Sequence, residues 1–128
     1  MQGKEIILNE FDFLVSETDS AGIITYSNRN FETVSGFTLD ELRGKQHNIV
    51  RHPDMPSAVF KNLWETIQSG KVWTGYVKNR TKNGDFYWIY STIYPFKKID
   101  GTYGFMSCRR TADRDEIVSA EAEYKKYR

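Results

Sequence analysis

The chain has 128 residues, of which 18 are basic and 17 acidic, so its net charge at neutral pH is +1. This length suits one domain with one hydrophobic core, and a near-neutral chain lacks the positive field of proteins that bind nucleic acid or anionic membranes. A single cysteine excludes an internal disulfide and a thiolate zinc site. The sequence has no apolar run of about 20 residues and no secretory signal, so we expect a cytoplasmic protein.

The first third of the chain predicts a β-hairpin followed by short helices. The predicted elements are a short helix over 4–10, strands over 11–18 and 23–27, a short helix over 28–36, and one more helical turn from 38. Turn residues at 19–22 separate the two strands and predict a hairpin. Gly36 is a helix stop, and Thr38 and Glu41 have the spacing of a capping box.

The remainder predicts one longer helix, three strands and a charged final helix. The predicted elements are a helix over 57–69, strands over 72–80, 86–97 and 103–111, and a solvated helix from 112 onward. Asn83 and Gly84 give the strongest hairpin signal and predict a type I′ turn, in which both central residues have positive φ. Alternation along the first of these strands places Trp73, Val77 and Asn79 on the inward face. An antiparallel sheet of five strands with helices on one face is expected.

The segment from His47 to Pro56 concentrates chemically active side chains. It holds both histidines of the chain, an arginine, an aspartate and two of the three prolines. Each proline lacks an N–H donor and restricts the residue before it, so a continuous helix cannot form there. The segment therefore predicts a shaped polar loop. Next to the apolar stripe of the following helix, it suits a ligand that is anionic at one end and aromatic at the other.

Catalysis, metal binding and haem binding are less well supported. No Gly-x-Ser-x-Gly elbow is present, so we do not expect an enzyme. His47, His52 and Asp54 offer metal-ligand chemistry, but the histidines lie five apart on a proline-broken loop rather than four apart on a helix. Histidines bonded to the loop backbone are favoured instead. Haem needs a ligand such as histidine on an element that faces a pocket, and the predicted helix over 57–69 has none.

A flavin makes three demands that the sequence meets. Its flat ring needs apolar or aromatic walls, its pyrimidine edge needs amide-type partners, and its phosphates need Arg or His. Candidates are the amides Asn28, Asn48 and Asn79, the guanidinium of Arg51, and the indoles of Trp64 and Trp73. Trp64 also suits the core, and Asn28 also suits a helix cap. Asn79 is harder to explain by packing, because an unpaired inward amide costs about 1–3 kcal/mol.

Cys108 lies on the last predicted strand, in phase with Gly104 and Met106. A free cysteine of this kind behaves as a small apolar side chain. We expect it to pack in the core rather than to react with a flavin.

Several segments resemble a known family. The order of elements, Gly36-Phe37-Thr38-Leu39-Asp40-Glu41-Leu42, Gly44 and the late Gly-Asp-Phe-Tyr-Trp run are similar to a PAS domain. More narrowly, Tyr26-Ser27-Asn28, the loop from His47 to Pro56, Trp64, and the run from Trp73 to Arg80 resemble the FAD-binding PAS domain of bacterial aerotaxis receptors. The resemblance covers about residues 11–111.

The resemblance implies an α+β PAS fold, with five antiparallel strands in the order 2-1-5-4-3 and short helices packed on one face. It divides the chain into an N-terminal cap segment (1–10), a PAS sensor domain (11–111) and a C-terminal helical linker (112–128). It also implies FAD, bound without a covalent bond, whose redox state sets the signal. The flavin-site residues carried over by resemblance are Asn28, Arg51, His52, Asp54, Trp64 and Asn79, with His47, Asn48 and Trp73 as weaker members.

The resemblance also implies a signalling partner. Receptors of this type continue into a HAMP region, a membrane anchor and signalling helices, none of which the sequence contains, so a fragment or a stand-alone PAS protein with a separate transducer is expected. The sequence leaves open whether the chain forms a homodimer, whereas binding to nucleic acid and direct membrane insertion are not expected. The alternatives are a cofactor-free PAS interaction module, in which the aromatic residues form core, and a haem-binding PAS sensor.

Overall fold

The computed structural model describes residues 3–127. Its elements are β1 Phe13–Asp19, β2 Ile24–Ser27, α1 Arg29–Ser35, α2 Leu39–Leu42, a 3₁₀ turn His47–Val50, α3 Ser57–Gln68, β3 Trp73–Arg80, β4 Phe86–Lys97, β5 Tyr103–Thr111 and α4 Arg114–Lys125. The strands form one antiparallel sheet in the order β2-β1-β5-β4-β3. The expected five-stranded sheet and its strand order are therefore confirmed.

The short helices begin and end where their capping residues predict. The side chain of Asn28 accepts a hydrogen bond from the Phe31 amide at 2.9 Å at the start of α1, and Gly36 ends that helix at φ +79°. Thr38 and Glu41 form the expected capping box at the start of α2. These local contacts satisfy backbone groups that a short helix leaves open.

The main core lies between the inner face of the sheet and the helices α1 to α3. Leu14, Phe31, Tyr87 and Ile89 are fully buried there. On the outer face of the sheet, α4 covers Trp88 with Ile117 and Ala120. The expectation of a solvated final helix is therefore only partly right, because α4 buries one apolar stripe against the sheet.

The expected helix over 4–10 is wrong. This segment is extended and lies along the start of β4, where Ile6 N–H donates to Phe86 O at 2.7 Å and Phe86 N–H donates to Lys4 O at 3.0 Å. Leu8 is buried, whereas Ile7 is 71% exposed. Pairing with a neighbouring strand satisfies the backbone here, so the segment has no need of a helix. Residues 1 and 2 of the proposed cap segment lie outside the described residues.

The turn between β3 and β4 is a hairpin connection, but it is not type I′. Thr81 N–H donates to Asp85 O at 2.8 Å, and Gly84 N–H donates to Thr81 O at 3.1 Å. Within residues 3–127, positive φ occurs at glycines alone, and Gly84 has φ +95°. The Asn83 side chain accepts a bond from Thr81 Oγ1 at 2.6 Å, which stabilises this longer turn without positive φ at Asn83.

Cys108 lies on the outer face of β5 and is half-buried, outside the two buried apolar clusters of the described chain. The expectation that it packs in the core is wrong, because Phe105, Ser107 and Arg109 are the inward residues of this strand. Each helix within residues 3–127 is too short or too polar to span a bilayer.

Candidate functional site

A cavity opens between the inner face of the sheet, helix α3 and the loop that begins at Gln46. Its volume is about 160 Å³. This is about ten times the 10–15 Å³ that a single buried water needs, so the space has the size of a ligand. The cavity is lined by Thr18, Gly22, Gln46, His47, Asn48, Val50, Arg51, Phe60, Leu63, Trp64, Ile67, Val77, Asn79, Ser91, Ile93, Phe105, Ser107 and Arg109.

The walls of the cavity are apolar and aromatic. Trp64 meets Phe105 edge-on, with ring centroids 5.7 Å apart. A Cβ added at Gly22 would lie 2.8 Å from the Trp64 ring, so Gly22 gives this indole the space it occupies. At φ +84°, Gly22 also has a backbone conformation that a side chain disfavours. These walls suit a flat ring system.

The buried end of the cavity carries Arg109, a residue that is 3% exposed. Its guanidinium donates to Ser16 Oγ at 2.8 Å, to His47 Nε2 at 2.7 Å and to Leu14 O at 3.4 Å. No carboxylate within residues 3–127 lies at ion-pair distance from it. Burial lowers the pKa of Arg109 to about 10. The cavity therefore ends in a cation that no acidic side chain of the described residues neutralises.

His47 is the neutral partner of that cation. A guanidinium has no acceptor, so His47 Nε2 must accept the bond from Arg109, and the ring proton lies on Nδ1. Burial, with the charge of Arg109 second, lowers the pKa of His47 to about 3. Ser16 Oγ lies 2.9 Å from the same nitrogen. The three side chains form one fixed polar group with a net charge of +1 at neutral pH.

Asn79 projects into the cavity from β3 and is 4% exposed. Its cross-strand neighbour is Tyr87. Burial raises the pKa of Tyr87 to about 12, while the charge of Arg109 and the Asn79 side chain act in the opposite direction. By geometry, Tyr87 Oη has no hydrogen-bond partner within the described chain, so the phenol stays protonated behind Asn79 without a fixed bond to it.

Two buried polar atoms of the cavity wall lack hydrogen-bond partners within the described chain: Arg51 Nε and Ser107 Oγ. The Arg51 guanidinium also lies over the Phe60 ring, 3.7 Å from its centroid, and burial lowers the pKa of Arg51. Unpaired buried polar atoms are costly in a folded protein. Both atoms lie on the wall of the cavity, where a polar ligand or ordered water can bond to them.

Five of the nine expected site residues meet at this cavity: His47, Asn48, Arg51, Trp64 and Asn79. The buried positions of Asn79 and Arg109 contrast with the exposed positions of Gln46 and Asn48. The cavity therefore has its mouth at the loop and its closed end at the sheet.

The other four expected residues do not line the cavity. Asn28 caps α1 and also donates to Phe13 O at 2.8 Å. Trp73 donates from Nε1 to Asn62 Oδ1 at 3.0 Å. Asp54 accepts from Lys78 Nζ at 2.9 Å, and His52 meets the Phe86 ring edge-on.

Sequence reasoning missed several cavity residues, above all Arg109, Ser107, Ser91 and Thr18. For β5 it considered the phase of Gly104, Met106 and Cys108, which is the outer face. Ser107 and Arg109, the residues in phase with Phe105, were the available indication of a polar site on the inward face. Within residues 3–127, no cluster of three or more His, Cys, Asp or Glu is placed to hold a metal ion.

A family profile described as the PAS fold matches residues 24–109. The chain belongs to the PAS family. It is 47% identical to the aerotaxis receptor of Escherichia coli (strain K12) over 112 residues, which are 88% of this chain and 22% of that receptor. It is 31% identical to the biofilm dispersion protein BdlA of Pseudomonas aeruginosa over 108 residues, which are 84% of this chain and 26% of that protein. The PAS chain thus spans about a quarter or less of these relatives.

Solved structures show the same fold. The light-state structure of the blue-light photoreceptor Aureochrome1 LOV aligns with a TM-score of 0.74 and 18% identity, covering 91% of this chain and 92% of that one. A LOV domain studied with a flavin analogue aligns with a TM-score of 0.72 and 19% identity, covering 88% and 84%. At this identity the likeness concerns the fold alone.

Proposed function

We propose that this PAS domain binds FAD without a covalent bond and senses redox state or oxygen for bacterial taxis. The observation that carries the proposal is the cavity itself, which joins aromatic walls to an unneutralised buried cation and two unpaired buried polar atoms. The identity of 47% to an aerotaxis receptor supports the biological role. A bound flavin supplies an electron acceptor and donor whose charge depends on its redox state.

The donor set of the cavity fits such a ligand. At the closed end, Arg109, Ser107 and Asn79 offer N–H and O–H groups and an amide, which suit the carbonyl and nitrogen edge of a ring. At the loop, Arg51 offers a guanidinium of the kind that pairs with phosphate. Trp64 and Phe60 give apolar surface between the two ends. In this proposal His52, Asp54, Asn28 and Trp73 support the site from outside the cavity.

Two features of the cavity argue against the alternatives. The single histidine among the lining residues is His47, and its Nε2 already accepts a bond from Arg109, so it is poorly placed to be a haem ligand. A cofactor-free interaction module would be expected to fill its core, whereas this core holds a ligand-sized space with unpaired polar atoms.

The output of the sensor is proposed to pass through β3. Asn79 faces the cavity, and Tyr76 on the same strand contacts α4, where its hydroxyl bonds to Glu116 and its carbonyl accepts from Tyr124 Oη at 2.5 Å. A change in the hydrogen bonds of Asn79 would shift the balance between two arrangements of β3 and α4. The partner is proposed to be a signalling protein, either a chemoreceptor or HAMP-type transducer or signalling helices, and the domain acts without enzymatic activity in the cytoplasm.

The test is the colour and content of the purified protein. We expect a yellow protein whose flavin spectrum bleaches with dithionite, and whose ligand, released by denaturation, has the mass of FAD. A colourless protein that takes up no FAD on refolding would contradict the proposal. A Soret band would indicate haem instead.

A further inference from the structure

The loop segment 51–55 wraps around the free edge of β3. Arg51 and Asn79 form an antiparallel bridge, and His52 N–H donates to Lys78 O at 3.3 Å. Lys78 N–H points at Met55 Sδ, 3.4 Å away. Because β3 is an edge strand of the sheet, its outer backbone groups would otherwise have no strand partner. The loop therefore provides hydrogen-bond partners for backbone groups on the free edge of β3, the strand that carries Asn79.

Lys78 holds this loop from the outer face of the sheet. Successive strand residues point to opposite faces, so Lys78 is directed away from the cavity into which Asn79 projects. Its ammonium lies 2.9 Å from Asp54 Oδ2 and 4.5 Å from the centroid of the Phe86 ring. The side chain of Lys78 is 7% exposed and that of Asp54 is 36% exposed. A lysine this deeply buried needs its carboxylate partner.

We propose that Lys78 is a positioning residue of the cofactor site. Through its ion pair with Asp54 it holds the segment 51–55 against β3 and so keeps Arg51 at the cavity wall. Asp54 then serves the site by anchoring the loop and not by touching the ligand. This inference rests on the proposed flavin function.

Because Lys78 is buried more deeply than Asp54, substitutions of the two residues should have unequal effects on the site. Asp54→Asn leaves the buried Lys78 ammonium without its carboxylate, which is costly. Lys78→Met leaves a carboxylate that water can reach and places an apolar side chain on the Phe86 ring. Asp54→Asn should therefore damage the site more than Lys78→Met. Adding Lys78→Met to Asp54→Asn should restore part of the affinity for FAD, because it removes the lysine charge that has lost its carboxylate partner.

The experiment measures the FAD dissociation constant of the wild type, both single variants and the double variant. We expect Lys78→Met to weaken FAD binding about ten-fold, by analogy with the 10–100-fold losses seen when a residue that orients a metal ligand is removed. Asp54→Asn should weaken binding further, and the double variant should match Lys78→Met. Lys82→Met, which removes an exposed lysine from its ion pair with Glu41, is the matched control and should bind as the wild type does.

Wild-type affinity in Lys78→Met, or losses that add in the double variant, would overturn the inference. If Asp54→Asn does not fold, Lys78→Met and the double variant still give the comparison. Hydrogen exchange of the His52 amide in protein freed of ligand is a second readout, and it should be faster in Lys78→Met than in the wild type. Unchanged exchange would also overturn the inference. A wild type that binds no FAD would instead refute the proposed function, while the exchange measurement would still test whether Lys78 holds the segment 51–55 against β3.

Discussion

Replacing Arg109 with methionine should separate the stability of the protein from its affinity for FAD. Burial lowers the pKa of Arg109 from 12.5 to about 10, and a difference of about 2.5 pH units corresponds to a cost of about 3 kcal/mol for keeping the cation in the folded protein. Its hydrogen bonds to Ser16, His47 and Leu14 O offset this cost, since a bond from a charged donor contributes about 1.5–3 kcal/mol. The substitution removes both the cost and the bonds.

Two of the three partners that Arg109→Met leaves behind, Ser16 and His47, can pair with each other. Ser16 Oγ lies 2.9 Å from His47 Nε2, so the hydroxyl can donate to the ring once the guanidinium is gone. Methionine fills much of the space of the arginine stem. The free energy of unfolding of the ligand-free protein should therefore change by no more than about 2 kcal/mol. The affinity for FAD should fall about 10- to 100-fold, because a charged hydrogen bond of about 1.5–3 kcal/mol is lost.

Urea unfolding of the ligand-free protein and titration with FAD measure the two quantities. Arg110→Met is the matched control, because this neighbour is exposed and bonds to Thr111 O on the outer side of β5. Arg109→Lys should recover part of the affinity by restoring the charge without the planar fork of donors. The reasoning fails if Arg109→Met binds FAD as tightly as the wild type, or if it loses several kcal/mol of stability without ligand.

Three further changes test other contacts of the structure. The pKa of His47 in the folded protein is about 3, so between pH 3 and 6.5 the unfolded chain binds one more proton than the folded protein. The stability of the wild type should therefore fall as pH falls through this range, by up to about 1.4 kcal/mol per pH unit. Urea midpoints measured for His47→Gln should lack this pH dependence. Asn79→Ala should weaken FAD binding about ten-fold with little change in the urea midpoint, which equilibrium titration checks against Asn83→Ala. Tyr124→Phe should lower stability by about 1 kcal/mol, because the bond to Tyr76 O at 2.5 Å is lost, and an unchanged urea midpoint would contradict this.

The sequence predicted most of the fold because its signals are local. The Asn28 cap, the Gly36 stop and the Thr38 capping box each act within four residues, and the structure has all three. The segment 4–10 was missed because its partner, Phe86, is about 80 positions away and no local signal reports that pairing.

Only part of the site could be predicted, because alternation along a strand shows which face a residue is on but not whether it lies near the cavity. Trp73 and Asn79 share the inward face of β3, but they lie six positions apart, which is about 20 Å of strand. Trp73 therefore lies near Asn62 of α3, while Asn79 reaches the cavity. The contact of Arg109 with Ser16 joins positions 93 apart and depends on the register of β1 and β5. Such a contact requires the folded sheet.

If the domain senses a ligand as proposed, the contacts of Arg109 and Asn79 favour β3 as the strand that reports the state of that ligand. Arg109 is held by three partners in β1 and the loop, so it supplies a constant charge. Asn79 is on an edge strand that β4 holds on one side and the loop segment 51–55 on the other. Three residues away, Tyr76 contacts α4 on the opposite face. Because an edge strand can shift without breaking the centre of the sheet, in the proposed mechanism a change at Asn79 would reach both the loop and α4 while β1 and β5 stay in place.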